Sequence, residues 1–110
     1  MPKGTRHEEA RRNLAINLKY GRTLLGLTQE QLAEKANLDR TQIGAIERQA
    51  SGASIDSLGA LGMALGVPSH VLIMPPAEAH PVVLAATEAA ASESRQSKRA
   101  STEGKSRRAP

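Results

Sequence analysis

The chain contains no cysteine, tryptophan or phenylalanine, and its only aromatic residue is Tyr20. Without cysteine there is no disulfide framework and no thiolate metal site, which suits a reducing cytoplasm. A single ring cannot build the stacking platforms that grip single-stranded nucleic acid. The histidines His7, His70 and His80 lack the spacing of metal ligands, so neither a metal nor a cofactor is expected. No apolar run reaches the roughly 18 residues of a membrane span and no signal-peptide pattern opens the chain, which therefore reads as cytoplasmic. No Ser-His-Asp set or pair of acids stands out. The glycine-rich run from Gly59 to Gly66 lacks the lysine of a phosphate loop and lies in a helical pattern. No catalytic residue is assigned.

What is present is a basic chain of 110 residues with a net charge of +4 and a pI near 10.0. That length holds one domain with a tail, and the charge favours a polyanionic partner. The most informative stretch runs from Thr28 to Arg48. Thr28 followed by Gln31 is a capping-box pattern, and Leu32, Ala33 and Ala36 then share one helical face. Asn37 tolerates the left-handed backbone of a sharp turn. Asp39 is placed to cap a second helix whose inner face is Ile43, Ile46 and Glu47. Its outer face, Arg40, Thr41, Gly44, Ala45 and Arg48, offers nothing to a core.

The flanks read as helices too. Ala10, Leu14, Leu18, Gly21 and Leu25 recur at helical spacing, so a first helix is expected from about Glu8 to Leu25. Gly21 weakens it by about 1 kcal/mol relative to alanine. Ser54 caps a helix bearing Ile55, Leu58, Leu61 and Leu65, stopped by Gly66 and Pro68. A short helix over Ser69 to Met74 follows, and Pro75-Pro76 closes the compact part.

Taken together, the run from Leu18 and Arg22 through Gly26-Leu27-Thr28-Gln29-Glu30-Gln31-Leu32-Ala33, then Ile43, Ile46, Glu47 and Arg48, then Ser54 to Pro68, resembles the Cro/repressor-type (XRE) helix-turn-helix family. The resemblance spans about residues 14 to 74. It implies an all-α, five-helix, phage-repressor-like DNA-binding domain over residues 7–74; the composition of residues 75–110, rich in Ala, Ser, Pro and Arg, adds the expectation of a flexible tail. It also implies a sequence-specific transcriptional regulator of double-stranded DNA, most often a repressor, that binds an inverted repeat as a homodimer. The fifth helix and the Val82 to Leu84 patch are candidate dimer contacts.

A helix-turn-helix lays its second helix in the major groove with its N-terminal residues at base edges. Arg40 can bond bidentately to guanine, or stand as a phosphate contact or a solvated charge. Thr41 offers a hydroxyl and a methyl, and the resemblance turns Gly44 and Ala45 toward the bases. By the same resemblance Gln29 reaches a phosphate beside the helix N-terminal amides. Gln42, Arg48 and Ser51 are further phosphate candidates, each equally readable as solvated surface. Arg22 and Glu47 match the positions of an interior salt bridge, a strut for the recognition helix. In this family a glycine usually follows the Glu-Arg pair, where Gln49 stands here.

From about Ser92 to Pro110 no residue larger than alanine is apolar, so disorder is expected there. Six basic residues, Arg95, Lys98, Arg99, Lys105, Arg107 and Arg108, face Glu93 and Glu103. This tail reads as a solvated extension, a DNA-gripping arm, or a segment that binds a partner protein. The last makes the alternative function an antitoxin or interaction protein.

Overall fold

The computed structural model describes the backbone of residues 6–108 and the side chains of residues 6–93. Five α-helices and one 3-10 turn follow each other with no strand among the described residues. They are α1 (Arg6–Leu24), α2 (Gln29–Ala36), α3 (Arg40–Glu47), α4 (Ile55–Leu65) and α5 (Pro76–Arg108), with the turn Ser69–Ile73 between α4 and α5. No described helix is long and apolar enough to cross a membrane.

The apolar stripes converge as their spacing requires. Leu18, Leu32, Ile43, Ile46, Leu61, Leu72 and Val83 are fully buried in one shared core. α1 is its axis, packing against α3, α4, α5 and the 3-10 turn. Gly21 allows α1 to come close to α4 and α5. A Cβ there would lie 2.9 Å from Leu65 Cδ1 and 3.2 Å from Val83 Cγ1, so the glycine that weakens α1 as a helix improves it as a packing surface.

Two asparagines do unexpected work on that axis. Asn17 is fully buried and donates through Nδ2 to the Leu72 carbonyl at 3.0 Å and the Met74 carbonyl at 2.8 Å. One turn earlier, Asn13 donates to the Ile73 carbonyl at 3.1 Å. A 3-10 turn leaves its last carbonyls without helical partners. The two amides satisfy them and clamp the turn onto α1. The short helix expected over residues 69–74 is therefore a 3-10 turn, with Val71 and Leu72 buried.

The largest departure from expectation lies beyond it. Packing does not stop at Pro75-Pro76. The Pro75 carbonyl accepts from the amides of Glu78 and Ala79, both at 2.9 Å, and Pro76 is the first helical residue, where a missing N–H costs nothing. The diproline starts α5 instead of closing the domain. Ala79 and Val83 are then fully buried against the core, with Thr87 at 6% exposure. The division at residues 74/75 is corrected for this first part of the expected tail. The side chains of the basic run from Arg95 onward lie outside those described. Of the candidate dimer contacts Val82 to Leu84, Val83 points inward, and Val82 and Leu84 are exposed on opposite flanks of the helix.

Candidate nucleic-acid interface

The α2–turn–α3 unit is built by local hydrogen bonds that its sequence specifies. Thr28 Oγ1 accepts from the Gln31 amide at 3.0 Å, while Gln31 Oε1 accepts from the Thr28 amide at 2.9 Å, which completes the capping box. Asn37 takes the left-handed conformation with φ of 56°, and the Leu38 amide returns to the Ala33 carbonyl at 2.8 Å. The chain then enters α3 through Asp39. Asp39 occupies the capping position by backbone angles, but its carboxylate makes no cap hydrogen bond. The expectation of a side-chain cap there is corrected, and α3 is seated by tertiary contacts instead.

Those contacts are of two kinds. Ile43 and Ile46 are fully buried in the core. At the C-terminal end of α3, Glu47 accepts from three donors. Arg22 reaches it through Nε at 2.7 Å and Nη2 at 2.9 Å, and Gln29 through Nε2 at 3.1 Å. Arg22 also donates through Nη1 to the Leu27 carbonyl at 2.8 Å. The Arg22 and Glu47 side chains are only 15% and 5% exposed. The hydrogen bond to Glu47 raises the Arg22 guanidinium above its ordinary value, desolvation opposes this, and the carboxylate charge reinforces it. Three segments thereby meet at one carboxylate, the end of α1, the start of α2 and the end of α3, and Arg22 ties the loop at Leu27 to them. The strut matched through the resemblance is present in this arrangement. Its third member, Gln29, was missed, though its place at the head of α2 beside the Leu27 loop was a usable signal.

The outer face is less uniform than its sequence suggests. Arg40, Thr41 and Arg48 are exposed, and Ala45 is half-buried. Gly44 is buried: a Cβ there would sit 3.0 Å from Arg48 Nη1 and 3.6 Å from Gln29 Oε1, so those side chains roof it. Gln42 donates to Ser57 Oγ at 2.9 Å and ties α3 to α4. Ser51 donates to the Gly52 carbonyl at 2.9 Å. A polar cleft of about 430 Å³, lined by Arg22, Thr28, Gln29, Glu30 and Arg40, opens between the heads of α2 and α3. It joins the N-terminal amides of α2 to the Arg40 guanidinium, a setting that favours an anion.

Comparison with known proteins agrees with this architecture. A family profile described as helix-turn-helix matches residues 18–72. A Neisseria meningitidis protein described as a hypothetical transcription factor is 35% identical over 71 residues, 64% of this chain and 67% of its own length. The control protein C.SmaI of Serratia marcescens is 42% identical over 52 residues, 47% of this chain and 62% of that protein. The crystal structure of the hypothetical transcription factor NHTF from Neisseria superposes with a TM-score of 0.62 at 30% identity, covering 74% of this chain and 93% of that one. With the motif, its hydrogen bonds and these relatives in agreement, the chain belongs to the Cro/repressor-type (XRE) helix-turn-helix family of DNA-binding transcription regulators.

Proposed function

We propose that the chain is a sequence-specific repressor that binds an inverted repeat in double-stranded DNA as a homodimer. The observation that carries this reading is the pairing of a rigid seat with an open tip. Glu47 and its three donors fix the C-terminal end of α3, while Arg40 and Thr41 stand exposed at its N-terminal end. In this reading Arg40 bonds bidentately to a guanine, and Thr41 and Ala45 meet neighbouring base edges. Gly44 acts from beneath, its lack of a side chain leaving room for Arg48 and Gln29 to lie across the helix. A phosphate in the polar cleft takes the second amide hydrogen of Gln29, the first being held by Glu47. Arg48 and Ser51 extend the backbone contacts, and Gln42 serves chiefly to hold α3 against α4. The presence of C.SmaI, a control protein, among the relatives supports a regulatory role. One recognition helix reads only a few base pairs, which is why two copies on a two-fold site are invoked.

Selection of bound sequences from random duplex DNA tests the reading, and a pseudo-palindrome with half-site centres about 34–36 Å apart, or a multiple, is the expected product. On that site Arg40→Ala should weaken binding by about 1–3 kcal/mol and flatten preference at one base pair. An intact base-preference profile in Arg40→Ala would remove Arg40 from the base contacts. Failure to enrich any duplex sequence would overturn the reading as a whole.

A further inference from the structure

Gly44 is the one buried residue on the outer face of α3, and what covers it is polar. A Cβ there would lie 3.0 Å from Arg48 Nη1 and 3.6 Å from Gln29 Oε1. Arg48 stands at the C-terminal cap of α3, one turn beyond Gly44. A helical side chain leans toward the N-terminus of its helix and covers the turn before its own Cα. With no side chain at residue 44 to deflect it, the Arg48 guanidinium lies back over the middle of α3 and does not point past its end. Gln29 borders the same place. Its Nε2 donates to Glu47 Oε1 at 3.1 Å, and its own Oε1 is the atom turned toward Gly44. A side chain that belongs by sequence to the exit of α3 therefore has its charge on the reading face.

We propose that Arg48, laid across Gly44, reads a base of its own, a guanine in the major groove, and is a second specificity determinant beside Arg40. This adds a base contact to the backbone contact given to Arg48 above, and it rests on the reading of the chain as a DNA binder. Residue 44 is where a side chain of α3 itself would stand. Glycine yields that place to a guanidinium, whose planar fork matches guanine O6 and N7. Arg40 opens α3, and residue 44 lies about 6 Å further along the helix axis. That exceeds the ~3.4 Å between successive bases of a strand, so the two arginines meet different base pairs. Gly44 thus shapes specificity through the side chain it lacks. A phosphate makes no demand for a fork, since an ammonium serves it as a point charge. The two kinds of contact are therefore separable by substitution.

Duplex selection with the full chain and its variants tests this, together with the salt dependence of binding to the site selected. Arg48→Ala should bind that site about tenfold more weakly or worse, and should flatten preference at a base pair other than the one Arg40→Ala flattens. Arg48→Lys keeps the charge without the fork, so it should keep the wild-type salt slope and still lose that preference. In Gly44→Ala the new methyl displaces the tip of a flexible side chain, so preference at the same base pair should fall. Its melting temperature should not fall, alanine being the better helix former. With Arg48→Ala already in place, adding Gly44→Ala should leave the profile unmoved. An Arg48→Ala protein weakened alike on every sequence, its profile intact, would overturn the inference and leave Arg48 on the backbone alone. Preference lost in Arg48→Ala but kept in Gly44→Ala would overturn it too, since the guanidinium would then read from another place. A wild-type chain that selects no duplex overturns the DNA reading and this inference with it, whereas a selected site whose profile ignores Arg48 overturns this inference alone.

Discussion

Helix α3 sits on two fully buried isoleucines and a carboxylate held by Arg22 and Gln29. Helix α5 sits on Ala79, Val83 and Thr87 and on a stack of His80 against Tyr20, with ring centroids 3.8 Å apart at 12°. Both helices lean on α1, yet their seats differ in kind. Apolar contacts are non-directional and fix where a helix lies. Hydrogen bonds to a buried carboxylate are directional and also fix how it is turned. A helix that must present Arg40 in one orientation needs the second kind. One that only covers the core needs the first.

The same difference decides which helix could be read from sequence. The seat of α3 is made of residues that stand out, a capping box and a turn asparagine by their own pattern and the Arg22–Glu47 pair by the family resemblance. The seat of α5 is made of small residues. Ala79, Val83 and Thr87 are spaced four apart as a buried stripe should be, but alanine and threonine carry too little apolar surface to stand out in an alanine-rich run. Pro75-Pro76 added a false stop, since the same dipeptide that ends one helix can open another. Asn13 and Asn17 were silent for the opposite reason: buried polar residues look like surface until the carbonyls they serve are in view. Both its helical angle and the resemblance put Gly44 on the outer face, and only the path of Arg48 and Gln29 over it shows that it is covered.

The strongest way to break the comparison is to cut the directional seat. Arg22→Met leaves Glu47 buried with Gln29 as its remaining side-chain donor, and Glu47→Leu strands the Arg22 guanidinium. Each should cost about 3–5 kcal/mol, against a whole-domain stability of about 5–15 kcal/mol. The double variant leaves no charge unpaired and should recover much of the loss. Thermal melts of the four proteins decide the matter, and strictly additive losses would show that the pair does not act as a unit. The arginine should introduce no pH dependence in the working range. Its folded-state value is raised, so its contribution is fully present below the unfolded value and fades only as pH climbs through the raised one.

A smaller effect is expected from the non-directional seat. Val83→Ala removes two methyl groups from a fully buried site and should cost about 2 kcal/mol, from lost burial plus a residual cavity. The variant should melt earlier yet bind its selected DNA site as tightly as the wild type when both are fully folded. A binding loss at temperatures where Val83→Ala is folded would mean that α5 also orients α3, and the contrast between the two seats would fall.

The mildest change tests whether the exit of α3 contributes to its seat. Gln49 holds a left-handed backbone with φ of 63°, the position where this family usually carries glycine. Its amide returns to the Ile46 carbonyl at 3.0 Å and that of Ala50 to the Ala45 carbonyl at 2.8 Å, so the turn closes the helix through backbone bonds alone. The Gln49 side chain is exposed. A residue with a Cβ loses about 1–2 kcal/mol in that conformation, and glycine avoids this while giving its unfolded chain more freedom, which offsets part of the gain. Gln49→Gly should therefore stabilise the fold by about 1 kcal/mol or less. Because Arg22, Gln29 and Glu47 are untouched, the base-preference profile should not move. A shift in that profile would show that the exit turn helps aim α3, whereas an unchanged profile on a more stable fold leaves the aiming to the carboxylate and its three donors.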